Sequence, residues 1–247
     1  MAERVALITG VSGGIGRATA GAFAAAGWQT VGVDVEPGGE AAVDRFAIVD
    51  LADAAAVSAA AGEVSEREGR LDALVNNAAR QVCKTLAETT LADWDAVMAV
   101  NLRAPFWLMH ELLPLLRASR GAVVNVASVH AVATSPEILA YATSKGGMAA
   151  MTRAAALELA ADGVRVNAVL PGAVDTPMLR AGFARRPDLD ADAEMAAFAG
   201  LHPLGRVARP DEIAQAILYL ADGERSSYVT GTSLVVDGGV TARLSTE

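Results

Sequence analysis

The chain has 247 residues, 53% of them hydrophobic and 20% charged, with a formal net charge of −9 and a single cysteine, Cys83. That length holds one large α/β domain with a substantial core or two small ones; with no Pro/Ser-rich linker or charge block to divide it, one domain is expected. The acidic balance opposes nonspecific nucleic-acid binding, one cysteine excludes a disulfide framework or a cysteine-rich zinc site, and the lack of a membrane-length apolar run or a leader at Met1 points to a soluble cytoplasmic chain.

In chain order, Arg4 to Thr9 has the length and apolar character of a strand. It runs into Gly10-Val11-Ser12-Gly13-Gly14-Ile15-Gly16 and then a helical pattern from Arg17 to Ala26. A strand, a glycine-rich turn and a helix form an anion site, because glycines let the backbone approach a phosphate and the free N–H groups of the helix start point at its charge. Gln29 to Val33 is a second strand, ending in Asp34 about 20 residues on, where a carboxylate accepts from ribose hydroxyls and repels a 2′-phosphate. This favours NAD over NADP. The competing reading is a turn of glycines with Asp34 as a loop cap.

The pattern then repeats. Arg45 to Val49 is a third strand leading to Asp50 and Leu51, Asp53 to Glu68 a helix, and Leu71 to Val75 a fourth strand running into Asn76-Asn77-Ala78-Ala79. Strands alternating with helices imply a parallel sheet covered on both faces, a doubly wound α/β fold with seven strands in all. Ligands of such sheets bind beyond the carboxyl ends of the strands, so Gly10, Asp34, Asp50 and Asn77 line one edge; Asn76 and Asn77 also suit plain turn capping. A longer helical region, Leu91 to Leu116, carries Asn101 among apolar residues, either as a structural bridge or as part of a polar site. Pro105 is expected to interrupt the helix near residue 101, freeing backbone carbonyls. Gly121 to Ala127 is the fifth strand and delivers Ser128 to the same edge.

Tyr141-Ala142-Thr143-Ser144-Lys145 opens an alanine-rich helical run to Ala161, with Tyr141 and Lys145 four residues apart on one face. An ammonium fixed beside a phenol lowers its pKa from about 10 and makes it a proton-exchanging group; the competing reading is an ordinary surface helix. Lys145 is one of only two lysines among 20 basic residues, so its presence here is notable. Val164 to Leu170 is the sixth strand, followed by Pro171-Gly172-Ala173-Val174-Asp175-Thr176. Residues 177–209 then turn charged, mixing Arg180, Arg185 and Arg186 with Asp188, Asp190, Asp192 and Glu194. A helix from Asp211 to Leu220 and a seventh strand from Ser233 to Val236 complete the chain. Arg80 follows the asparagine loop and His130 lies two residues past Ser128, so both are candidates for the substrate side, with a loop role bonded to backbone as the alternative for His130. His110 and His202 carry no local metal-binding pattern, and Cys83 reads as a packed residue or a lone nucleophile.

Thr9-Gly10-x-x-x-Gly14-x-Gly16, Asn76-Asn77-Ala78, Asn101, Ser128 and Tyr141-x-x-x-Lys145 occur in the order in which the short-chain dehydrogenase/reductase family carries them, and the resemblance spans nearly the whole chain. Ala79, where the family commonly has glycine, is a small departure. The resemblance implies Tyr141 as acid/base, Ser128 as hydrogen-bond donor to the substrate oxygen, Lys145 as the residue that holds the nicotinamide ribose and tunes the phenol, and Asn101 as holder of a relay water. The cofactor side would comprise Gly10, Ser12, Gly13, Gly14, Ile15, Gly16, Asp34, Asp50, Leu51, Asn77, Tyr141 and Lys145, with Pro171, Gly172, Val174 and Thr176 near the carboxamide. Residues 177–209 become a substrate lid, and a homotetramer is implied. The expected reaction is reversible hydride transfer between NAD and a secondary alcohol, with the polar pocket candidates pointing to a sugar or polyol. Two alternatives are an NADPH-dependent 3-oxoacyl thioester reductase, against which Asp34 argues, and a non-catalytic NAD-sensing regulator.

Overall fold

A computed structural model describes residues 3–183 and 190–243 of the chain. Seven parallel strands form one sheet: β1 (Arg4–Thr9), β2 (Trp28–Asp34), β3 (Arg45–Ile48), β4 (Ala73–Asn76), β5 (Ala122–Val126), β6 (Arg165–Pro171) and β7 (Ser233–Val236), in the spatial order β3-β2-β1-β4-β5-β6-β7. The direction of strand addition reverses between β1 and β4. In open parallel sheets a crevice forms beyond the strand ends at such a switch point.

The helices between strands are α1 (Gly14–Ala25), α2 (Ala54–Arg67), α3 (Leu91–Met98), α4 (Ala104–Glu111), α5 (Leu113–Ser119), α6 (Leu139–Leu159), α7 (Pro177–Phe183), α8 (Ala191–Leu201), α9 (Pro210–Ala221) and the single turn α10 (Gly223–Ser226). They divide the core into two layers. Val5 and Leu7 of β1 point into a cluster with Val57 and Val64 of α2 and Leu108 and Leu116 of α4 and α5; Ala6 and Ile8 point the other way, towards Phe23 of α1 and Ile213 and Ile217 of α9. The period-two alternation of a strand thus feeds both layers, which is why the strands are apolar along most of their length.

The long helical region expected from Leu91 to Leu116 is broken, and at the anticipated place. Between α3 and α4, residues Ala99–Arg103 form a π-helical turn in which the Ala104 N–H donates to the Ala99 carbonyl. Pro105 has no N–H to return to the carbonyl of Asn101, four residues earlier, so the normal ladder cannot continue. A second proline, in Leu113–Ser119, opens α5. The charged segment 177–209 is largely helical where described, as α7 and α8; Arg185, Arg186 and Asp188 lie outside the described residues. Among the described residues no helix is long and apolar enough to cross a membrane.

Candidate active site

The glycine turn is shaped by close contacts. Gly10 has φ +74, and a Cβ there would lie 2.9 Å from the Cα of Ala78; a Cβ on Gly16 would run into the Gly10 carbonyl oxygen; one on Gly14 would sit 2.9 Å from Cγ2 of Thr176. Those three positions therefore have to be glycine. Gly13 caps α1 without any side-chain hydrogen bond, and the first turn of the helix carries no acidic residue. By contrast, Asp53 caps α2 and a Thr90–Asp93 capping box closes α3. The α1 start thus keeps N–H groups available for an anion.

Asp34, at the end of β2, accepts from the Ser12 N–H at 2.9 Å and the Glu36 N–H at 3.2 Å. A carboxylate has about four lone-pair positions, so two bonds leave room for ribose hydroxyls. Asn77 donates through Nδ2 to the carbonyls of Thr9 and Gly10 at 2.9 and 3.2 Å. Thr9 in turn accepts through Oγ1 from the N–H groups of Asn77 and Ala78 at 3.0 and 2.9 Å. These bonds tie β1 to the asparagine loop across the switch point. Asp50 caps its own turn by accepting from the Ala52 N–H at 2.8 Å, and Leu51 is buried. The chemistry of this cradle fits a dinucleotide: a turn whose glycines leave the backbone open to a pyrophosphate, a carboxylate for the adenosine ribose, and Thr176 packed against Gly14.

Tyr141 and Lys145 lie on the buried stripe of α6, together with Met148, Thr152 and Ala156, and both reach the carboxyl end of β5. Lys145 Nζ donates to the Val126 carbonyl at 2.7 Å and stands 5.6 Å from the centre of the Tyr141 ring. The Ser128 hydroxyl lies close enough to the Tyr141 phenol to favour its ionised form. Ser128 Oγ also accepts from the His130 N–H at 3.2 Å, and the His130 ring meets the Tyr141 ring edge-on, centroids 5.9 Å apart. Ser128, His130, Tyr141 and Lys145 therefore form one cluster.

Its electrostatics differ from the sequence expectation in one respect. Burial pushes the Tyr141 phenol up to about 12, the Ser128 hydrogen bond opposing it, while burial alone pulls Lys145 down to about 7. Lys145 is not among the causes of the phenol's shift, because burial disfavours the charged form of both groups. In the ligand-free protein the protonated phenol is the favoured form, the one that gives a proton to a substrate oxygen in reduction.

Asn101 is fully buried, and its amide is fully committed. Oδ1 accepts from the Arg80 N–H at 2.7 Å, and Nδ2 donates to the Arg80 carbonyl at 2.9 Å and to Ser144 Oγ at 3.0 Å. The side chain grips the backbone of the asparagine loop, so a water held at this residue would have to use its main-chain carbonyl. The Arg80 side chain itself is exposed. Gly172 packs against Asp237, where a Cβ would come 2.9 Å from its Cα, and Val174 is buried and bridged to Ala208. Pro171 ends β6.

Two supporting residues, Asn125 and Thr152, escaped the sequence reading. Asn76 Nδ2 donates to Asn125 Oδ1 at 2.8 Å, and Asn125 Nδ2 to Thr152 Oγ1 at 2.9 Å, a buried polar chain from β4 through β5 to α6 that fixes the catalytic helix on the sheet. The available signal was a polar residue inside an apolar strand, as in Ala122–Val126. Cys83 is only partly buried, and among the described residues no group of three His, Cys, Asp or Glu side chains could hold a metal ion.

A family model described as enoyl-(acyl carrier protein) reductase matches residues 10–241. The chain belongs to the short-chain dehydrogenase/reductase family and is an oxidoreductase. Among its relatives, a 3-oxoacyl-[acyl-carrier-protein] reductase of Thermotoga maritima is 36% identical over 96% of this chain and 97% of its own. A D-threitol dehydrogenase of Mycolicibacterium smegmatis is 36% identical over 97% of this chain and 94% of its own. The ligand-free structure of an aldohexose dehydrogenase of Thermoplasma acidophilum superimposes with a TM-score of 0.95 at 30% identity, covering 99% of this chain and 96% of that one.

Proposed function

We propose that the protein catalyses reversible hydride transfer between NAD and a secondary alcohol of the polyol or sugar type, with Tyr141 as acid/base. The observation that carries this is the Ser128–Tyr141–Lys145 cluster lying at the same sheet edge as the Gly10–Gly16 cradle. When bound, the nicotinamide supplies the hydride chemistry; the chain orients the reactants and handles the proton. Ser128 and Tyr141 together hold the substrate oxygen. In reduction Tyr141 gives it a proton, and in oxidation the same phenol, deprotonated, takes one. Lys145, tied to the Val126 carbonyl, holds the nicotinamide ribose and replenishes the proton, with the Asn101 main-chain carbonyl as the station for a relay water. Asp34 supports NAD over NADP, since a 2′-phosphate would meet a carboxylate.

Arg80 and His130 are substrate-side candidates. Residues 177–209 serve as the lid: Asp175 N–H donates to the Ala208 carbonyl at 2.9 Å and Ala208 N–H to the Ala173 carbonyl at 2.9 Å, so the excursion leaves and rejoins the body at one backbone-stapled base. Arg180 adds an ion pair to Asp175 at 2.7 Å. The protein assembles as a homotetramer, a reading supported by the exposed Phe106 and Leu157 on α4 and α6 and the small residues beside them; light scattering at monomer mass would remove it.

The function is tested with a panel of polyols, aldoses, hydroxy acids and simple secondary alcohols, each with NAD and NADP. NADH production from hydroxylated substrates, with little from NADP, is expected. Preference for NADPH with 3-oxoacyl thioesters would replace this reading with the reductase one, which shares the same catalytic residues and has a relative of equal identity.

A further inference from the structure

Lys84 is the other of the chain's two lysines among 20 basic residues, and the proposed reaction leaves it unused. It holds two different parts of the molecule. Its Nζ donates to Asp93 Oδ2 at 2.7 Å, and that same oxygen accepts from the Thr90 N–H at 3.0 Å and the Thr90 hydroxyl at 2.7 Å in the capping box of α3. The carboxylate is thereby pinned to a helix start. Surface ion pairs are usually weak because two flexible side chains must be immobilised, and here one of them is already fixed. The hydrogen bonds from Lys84 and Thr90 hold the Asp93 carboxyl well below the usual carboxylate range, so the aspartate stays charged through neutral pH.

The main chain of Lys84 makes the second contact. Its N–H donates to the Glu137 carbonyl at 2.8 Å, and Lys84 forms a parallel β-bridge with Ile138. Glu137 has φ +68, a left-handed conformation that a residue with a side chain keeps only where its surroundings over-determine it. Ile138 is buried and starts α6: its carbonyl accepts from the Ala142 N–H at 2.9 Å, yet it makes no side-chain cap hydrogen bond. An uncapped helix end frays unless something else holds it. Farther along, α6 is tied to the sheet at Lys145 and Thr152, both beyond the turn that carries Tyr141. We propose that Lys84 is a positioning residue: its ammonium on Asp93 and its N–H on Glu137 tie the start of α6 to the start of α3, and this tie sets the place of the Tyr141 phenol beside Ser128. Asn101 grips the other end of the same loop, at Arg80, from the turn that follows α3. Residues 80–84 are then a spacer of fixed length between the two helices. This rests on the hydride-transfer reading above and adds a residue to it.

The test compares wild type, Lys84→Met and Lys84→Arg in kcat and in the KM for NAD with the best alcohol of the panel, and in hydrogen exchange at the Ala142 amide of the ligand-free protein. Methionine keeps an unbranched stem and the backbone bridge but removes the charge. The Lys84 side chain is 41% exposed, so both variants fold. Because a misplacement of about 1 Å can cost about a hundredfold, Lys84→Met is expected to lose about tenfold in kcat, with the KM for NAD within about twofold of wild type. Exchange at Ala142 rises in the same variant, and Lys84→Arg, whose guanidinium reaches the same carboxylate, restores most of both. A purely stabilising ion pair would instead lower the urea midpoint and leave the kcat of the folded enzyme unchanged. Unchanged kcat in Lys84→Met, unchanged exchange at Ala142, or no rescue by arginine would each overturn the positioning role while leaving hydride transfer intact. A wild type that turns over no alcohol of the panel would remove the reaction itself, an outcome that the exchange measurement, which needs no substrate, keeps separate from the fate of the tie.

Discussion

Lys145 shows how a residue is placed against its own solvation preference for the sake of chemistry. Its ammonium is buried, and its pKa falls from 10.5 to about 7. The folded state therefore gives up a proton that the unfolded chain still holds between about pH 7 and 10.5, so burial of Lys145 costs most below that window and the cost fades as pH rises through it. Tyr141 works in the opposite sense, but only above its unfolded value of 10.0, because its protonated form is favoured up to about 12. In urea unfolding of the ligand-free protein, wild type is expected to gain stability relative to Lys145→Met as pH rises above about 7, with a slope approaching about 1 kcal/mol per pH unit. Parallel stability curves for the two would mean that the lysine is solvated in the fold. Sequence spacing alone put Tyr141 and Lys145 on one face. It did not reveal the dry surroundings that reverse the expected shift of the phenol, since burial depends on β5 and on the turn after Ser128.

At the scale of elements, the π turn at Ala99–Arg103 joins a helix problem to a loop problem. Pro105 breaks the ladder, the widened turn aims Asn101 inward, and the amide of Asn101 clamps Arg80 through both backbone groups. Asn101→Ala strips partners from the part-buried N–H and C=O of Arg80 and from the buried Ser144 hydroxyl, and is expected to cost about 1–3 kcal/mol. It should also speed hydrogen exchange at the Arg80 amide. Unchanged exchange at Arg80 would show that the clamp is not what orders the asparagine loop. The interruption was legible because proline acts locally, on the carbonyl four residues back. The clamp was not, because Arg80 lies 21 residues away. Strand ends followed the same rule. β1 and β7 match their apolar runs, whereas β4 begins at Ala73 rather than Leu71, because pairing to β1 starts at the Ala6–Ala73 register. Asn125 and Thr152 went unnoticed for the same reason, the partners of Asn125 being 49 and 27 residues distant. The charge pattern after Pro177 assigns no element to the stretch read as a lid, yet α7 and α8 form in it, with Asp190 capping the second by accepting from the Asp192 N–H at 3.1 Å.

For the whole molecule, the parallel topology makes a site out of residues scattered along the chain. Every strand ends at the same edge, so the glycine turn after β1, Asp34 at the end of β2, Asn77 after β4 and Ser128 after β5 meet without any one of them being near another in sequence. α6 then closes the site from the side, held to the sheet by the Asn76–Asn125–Thr152 chain. The most direct test of the proposed chemistry is Tyr141→Phe, assayed for NADH formation with the best alcohol of the panel and, on the same sample, for NAD binding by fluorescence. Removal of one hydroxyl group should abolish turnover while NAD still binds with near wild-type affinity. Retention of more than a few per cent of wild-type activity would contradict the assignment of Tyr141 as the acid/base.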